Sequence, residues 1–166
     1  MGAASCDIPT IALSGGPMLN GKYRGQDIGS GTDVWRFSED VKAGVMSLKE
    51  FSEAEGCMSR SAGHCMVMGT AATMMGIAEA VGLTLPGASS IPAVDSGHIR
   101  MCAASGRRIV EMVWEDLKPA SMLSRAHFEN GIACAMAMGC STNAIIHVIA
   151  MSRRAGHPVT LDDFDA

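Results

Sequence analysis

Cys65 stands in Ala62-Gly63-His64-Cys65-Met66-Val67-Met68-Gly69-Thr70-Ala71, a run of small residues that leads into a helix N-terminus. The positive end of a helix favours a thiolate, and a thiolate is what metals and electrophiles require. The same placement suits one ligand of an iron–sulfur cluster. A single thiol cannot hold a cluster, and the local pattern equally allows a buried loop cysteine with no chemistry. His64, its neighbour, is suited either to tune that sulfur or to face a substrate.

Two further corners concentrate polar backbone. Ser14-Gly15-Gly16-Pro17 ends an apolar run, so its amides either cradle an anionic group such as a carboxylate or simply make a tight turn. Gly139-Cys140-Ser141-Thr142-Asn143 joins the end of one helix to the start of another. Its donors either receive an anion or cap the second helix through Ser141 or Thr142. Cys140 is a second, weaker thiol candidate. Cys102 and Cys134 sit in Ala- and Met-rich helical sequence and read as small core residues. The six cysteines lack the paired spacing of a zinc ribbon, and the five histidines lack metal-site spacing. His147, on an apolar helical face, reads as a core residue. No Ser–His–Asp pattern, P-loop or dinucleotide fingerprint is present.

The elements that must position these residues follow from periodicity and punctuation. Ile8–Leu13 predicts a buried strand, and the glycines at 15, 16, 21, 25, 29 and 31 forbid a long regular element after it while leaving room for a second strand. A short helix is predicted to open at Ser38-Glu39-Asp40. Ser47 and Glu50 form a capping-box pattern for a helix reaching about Glu55 and closed by Gly56. Residues 57–68 predict a loop, and a helix follows from Gly69–Thr70 to Gly82. An extended connection at 83–93 leads to helices over 96–117 (with a break at Gly106), 124–138 and 142–154, and Thr160 starts one more.

The 166 residues make one domain, and at 48% hydrophobic the chain can offset its ordering entropy, which excludes disorder. A net charge of −4 argues against nucleic acid as a partner. Charged residues are 18%, below the roughly 25% of ordinary domains, and aromatics only 4% beside 14 Met and 19 Gly. Such a surface and core predict a piece of a larger protein, as does a lone strand with no backbone partner. Residues 132–151 have the length of a membrane span, but the polar corner at 139–143 interrupts them, so no membrane segment is expected. Met1–Ser5 has no secretory character, which predicts a cytoplasmic location.

Asp7-Ile8-Pro9-Thr10-Ile11 through Ser14-Gly15-Gly16-Pro17-Met18, Gly29-Ser30-Gly31-Thr32-Asp33, Gly63-His64-Cys65 with Met68-Gly69-Thr70-Ala71, and Ser141-Thr142-Asn143-Ala144 together resemble the dihydroxy-acid and phosphogluconate dehydratase family. The likeness covers essentially the whole chain and is nearest the sugar-acid branch, such as arabinonate dehydratases. It implies an α/β fold: part of a three-layer α/β/α N-terminal domain, mostly helical here, spanning 1–166 and truncated at both ends. The implied activity is that of a hydro-lyase, converting a 2,3-dihydroxy carboxylate to a 2-keto-3-deoxy acid. An iron-sulfur cluster (2Fe-2S or 4Fe-4S) would act as Lewis acid on the departing 3-hydroxyl, Mg2+ would hold the carboxylate, and a serine alkoxide would take the C2 proton.

By the same resemblance Cys65 matches the last of three cluster cysteines, and Ser14, Gly15, Gly16, Ser141, Thr142 and Asn143 fall near the substrate. The other cluster cysteines, the magnesium ligands and the catalytic serine have no counterpart here; Cys6-Asp7 only superficially resembles the family's Cys-Asp-Lys motif. The implied partner is a small-molecule sugar acid, and the full-length family member is a homo-oligomer. Two other readings stand beside this one: a dihydroxy-acid dehydratase of branched-chain amino-acid biosynthesis, and a non-catalytic truncated fragment.

Overall fold

A computed structural model describes residues 1–165. The fold is mostly helical with one small sheet. In chain order it comprises α1 (Gly2–Cys6), β1 (Gly21–Tyr23), β2 (Gln26–Ile28), α2 (Thr32–Lys42), α3 (Leu48–Met58), α4 (Thr70–Ala80), α5 (Ser96–Trp114), α6 (Pro119–Met122), α7 (Arg125–Met138) and α8 (Thr142–Arg154), with 3-10 turns at Ala88–Ser90 and Asp162–Phe164. The two strands form an antiparallel hairpin in which Gly21 pairs with Ile28 and Tyr23 with Gln26.

The main core gathers α4, α7 and α8. Ile77, Val81, Phe128, Ala135, Ala144, Val148 and Val159 are fully enclosed there. Helices α4 and α7 approach closely because Gly76 leaves room for the Met138 thioether and Gly131 leaves room for Val81. Helix α7 starts at Ser124, whose N–H donates to His127 Nδ1 at 3.2 Å, and stops at Gly139 in the left-handed conformation. A second, smaller cluster of Ile28, Phe37, Ala54 and Met58 sits between the hairpin, α2 and α3, with Tyr23 edge-on to Phe37 at 5.9 Å between centroids. The capping box is formed as the sequence predicts: Glu50 N–H donates to Ser47 Oγ at 3.2 Å and Ser47 N–H to Glu50 Oε2 at 2.9 Å.

Several expectations are corrected. Ile8–Leu13 is not a strand: the segment is irregular, Ile8 is 56% exposed, and its ties are Ala12 N–H to the Leu83 carbonyl and the Thr84 hydroxyl to the Ala12 carbonyl. β-Prone residues form a strand only where another backbone pairs with them along their length, and here the one main-chain bond, at Ala12, does not extend into a ladder. The chain instead opens with α1. Helix α2 begins at Thr32, ahead of the Ser38 start, because Asp33 Oδ2 accepts the Gly29 N–H at 2.7 Å and fixes the entry turn. Helix α3 runs through Gly56 to Met58, whose burial in the small cluster outweighs the glycine's modest helix penalty.

Helix α5 is unbroken at Gly106, and the short α6 follows Lys118 with Pro119 at its first position. Of the 19 residues of α5 only Ser105 and Met112 are buried, while Ile99, Val110, Val113 and Trp114 are exposed. Cys102, on this helix, is exposed and not a core residue; Cys134 is half-buried. The helix expected after Thr160 is a single 3-10 turn.

Candidate functional site

Three loops meet edge to edge around His64. Its N–H donates to the Gly16 carbonyl and its carbonyl accepts from Met18 N–H, both at 3.0 Å, making a short parallel bridge between 16–18 and 63–64. On the far side Ala93 N–H donates to the Pro17 carbonyl at 2.9 Å. Two glycines allow this. A Cβ on Gly16 (φ +83) would lie 2.3 Å from the Ile91 carbonyl oxygen, and one on Gly63 (φ +127) 2.4 Å from Met18 N. Both positions combine a left-handed backbone with contact that any side chain would break.

The loop that carries Cys65 is anchored on the hairpin side as well. Leu19 N–H donates to Ser61 Oγ at 2.8 Å, Gly21 N–H to Met66 Sδ at 2.8 Å, and Arg60 to the Asn20 carbonyl at 3.1 Å. The half-buried thiol is therefore held on an irregular segment with fixed supports on both flanks.

Two cavities open on either side of this junction. The larger, about 620 Å³, is lined by Ser14, Gly15 and Gly16 together with His64 and Ala88–Ser89. The smaller, about 330 Å³, is lined by His64, Cys65, Met66–Met68 and Ser89–Ser90. His64, Met75 and Ser89 belong to both walls. None of the N–H groups of Ser14, Gly15 and Gly16 donates to a protein acceptor among the described residues, and Ser14 and Gly15 are exposed.

The His64 ring is oriented by the Cys65 carbonyl, which accepts from Nδ1 at 2.7 Å. A carbonyl only accepts, so Nδ1 carries the proton; Nε2 is buried and has no partner among the described residues. Below Ser89, the Glu79 carboxylate accepts the Ser89 hydroxyl at 2.6 Å and the N–H groups of Gly87 and Ser89. Burial pushes this carboxyl up, but those hydrogen bonds outweigh it and hold the group below its ordinary range. The 87–93 segment is thus a third wall that motif reading missed; its only sequence signal was the Pro86-Gly87 turn and the Ser89-Ser90 pair.

Ser141, Thr142 and Asn143 lie at the start of α8 and line neither of these cavities. Ser141 Oγ accepts the Asn143 N–H at 3.3 Å as an N-cap, and Ser141 N–H donates to Thr73 Oγ1 at 3.2 Å. Asn143 Nδ2 donates to Thr70 Oγ1 at 2.8 Å. Thr70 is the first residue of α4, so this corner reaches the Cys65 loop through the helix that the loop feeds. The structure therefore joins Ser14–Gly16 directly to the Cys65 loop and brings Ser141–Asn143 against the next turn of the chain.

As for a metal centre, Cys65 fits the role of one thiolate ligand at a cavity wall. No group of three His, Cys, Asp or Glu side chains able to hold a metal ion occurs among the described residues. The described residues therefore form no complete metal site by themselves. No helix among the described residues is long and apolar enough to cross a membrane.

Comparison with known proteins bears on this arrangement. Residues 1–166 match the family described as dihydroxy-acid/6-phosphogluconate dehydratase, N-terminal. The chain is 54% identical over 165 residues to an L-arabinonate dehydratase of Rhizobium leguminosarum bv. trifolii, covering 99% of this chain and 28% of that protein. It is 49% identical over 166 residues to a 6-deoxy-6-sulfo-D-gluconate dehydratase of Pseudomonas putida, covering 100% of this chain and 29% of that protein. Against a dihydroxy-acid dehydratase of Pyrococcus abyssi the identity is 43% over 165 residues, covering 99% and 30%. The chain thus spans about three-tenths of the length of these relatives.

Proposed function

The chain belongs to the dihydroxy-acid/6-phosphogluconate dehydratase family, and from that premise we propose that it is part of a sugar-acid hydro-lyase that removes water from a 2,3-dihydroxy carboxylate to give a 2-keto-3-deoxy acid. The observation that carries this reading is the direct bonding of two of the resemblance's motifs. The Gly16 carbonyl and the His64 N–H, next to Cys65, are partners, which supports reading the 14–16 amides and the Cys65 thiol as parts of one site. The sugar-acid assignment is favoured over a branched-chain dihydroxy acid by the higher identity to the arabinonate enzyme, 54% against 43% for the Pyrococcus relative.

In this reading Cys65 is one protein ligand of an iron–sulfur cluster, and the remaining ligands lie outside the described residues. When bound, such a cluster supplies Lewis acidity at the leaving hydroxyl, and Mg2+ supplies charge to hold the carboxylate. This chain's own residues bind and orient. The free N–H groups of Ser14, Gly15 and Gly16 point carboxylate recognition to the larger cavity. Ser141, Thr142 and Asn143 are assigned to the substrate from the family resemblance, with Ser141 also capping α8. The full-length protein is placed in the cytoplasm as a homo-oligomer on the same family ground.

The test is Cys65→Ser in the full-length protein that carries this chain, with Cys102→Ser as control. Cys65→Ser is expected to lose cluster iron, its visible absorption and conversion of arabinonate to a keto acid, while the control retains all three. Retention of iron and absorption by Cys65→Ser would remove the thiol from the cluster, and turnover of alkyl dihydroxy acids alone would move the protein to the branched-chain class.

A further inference from the structure

His98 and Cys102 are four residues apart on α5 and project from one face of the helix. Cys102 Sγ lies 3.6 Å from His98 Nδ1, and His98 Nε2 lies 2.9 Å from the Ser14 carbonyl oxygen. That carbonyl can only accept, so Nε2 carries the ring proton and Nδ1 turns its lone pair to the thiol. A nucleophile, a base and a group that orients the base are therefore in line, the arrangement by which proteins activate sulfur. The thiol is also exposed, on a helix whose surroundings bury little of it.

The molecule contains its own comparison. Cys6 is the other exposed thiol, and among the described residues no imidazole hydrogen-bonds to it. Cys57, Cys65, Cys134 and Cys140 are half-buried. Exposure alone would make Cys6 and Cys102 alike; Cys6 ends the short α1 beside Asp7, and Cys102 is the one with an imidazole against it.

We propose that Cys102 is a modification site: a reactive thiol, with His98 as its base, that exchanges with small disulfides. The thiol proton passes to His98 Nδ1 and the sulfur attacks one sulfur of the disulfide. A bond forms between Sγ and that sulfur, the original S–S bond breaks, and the second sulfur leaves with the electron pair and takes up the proton as a free thiol. Cys102 is oxidised to a mixed disulfide and one half of the small disulfide is reduced, so electrons balance without a further reagent.

The experiment is competitive labelling of the protein with 5,5′-dithiobis(2-nitrobenzoate) at neutral pH, with the rate at each cysteine followed by peptide mass spectrometry. Cys102 is expected to react about tenfold faster than Cys6, a rise smaller than the roughly 10²–10⁴-fold that a positioned base contributes in a catalytic step. His98→Gln is expected to bring Cys102 to within about twofold of Cys6 and to leave the Cys6 rate unchanged. Equal rates at Cys6 and Cys102 in the wild type, or a fast Cys102 in His98→Gln, overturns the proposal. Should all six cysteines of His98→Gln react together, marking an unfolded variant, His98→Asn is read by the same two rates.

Discussion

Helices α5 and α7 are built from similar residues and treated very differently by the fold. Helix α7 has 14 residues and buries Phe128, Gly131, Ile132 and Ala135 against α4 and α8. Helix α5 is longer, with 19 residues, and buries only Ser105 and Met112; Trp114 at its end is 86% exposed. What separates them most is the presence of neighbours: α7 packs against α4 and α8, while α5 leaves Ile99, Val110, Val113 and Trp114 exposed. α7 is held along its length by packing. α5 is held at its start by Asp95, whose carboxylate accepts the Gly97 N–H at 2.6 Å, and near its end by Arg108 bound through both nitrogens to Glu115.

The largest effect that could break this contrast is at Phe128. Phe128→Ala should cost about 3–5 kcal/mol in denaturant unfolding, since it empties a site enclosed on every side. A loss of less than half that would mean that α7 is not the packed element. Acid should then loosen the C-terminal end of α5. The Arg108 guanidinium holds the Glu115 carboxyl below its ordinary value of 4.5. A depressed carboxyl contributes stability above that value and loses it as pH falls through and beneath it. Amide protection at the C-terminal end of α5 should fall in that window while the packed middle of α7, around Phe128 and Ile132, keeps its protection, and Glu115→Gln should flatten the response. The smallest effect is expected at Trp114. Trp114→Ala should change stability by no more than about 0.5 kcal/mol in the same unfolding measurement, despite removing a larger side chain than Phe128.

The same contrast explains what could be read in advance. Helices α4, α7 and α8 were legible because their apolar spacing, their serine or glycine starts and Gly82 or Gly139 stops all agree with what packs around them. The Ser47–Glu50 capping box was legible because it is a local bond pattern that needs no neighbour. Ile8–Leu13 was misread because strand propensity names a preference and not a partner. Cys102 was misread as core for the same reason: helical amphipathicity tells which face is apolar, not whether anything lies against it.

At the site, the glycines at 16 and 63 and the thiol at 65 were visible as motifs. The bonds that bring them together run between main-chain atoms of residues about fifty apart, and main-chain atoms leave no mark in a sequence. The part of His64 that does the joining is its backbone, so its identity as histidine gave no hint of it.

That junction leaves little independent freedom on its two sides. One peptide segment is the common wall of both chambers, so the amides at 14–16 and the sulfur at 65 are braced by the same strut. The wider chamber and the loop that carries the thiol are thus built on one shared piece of backbone.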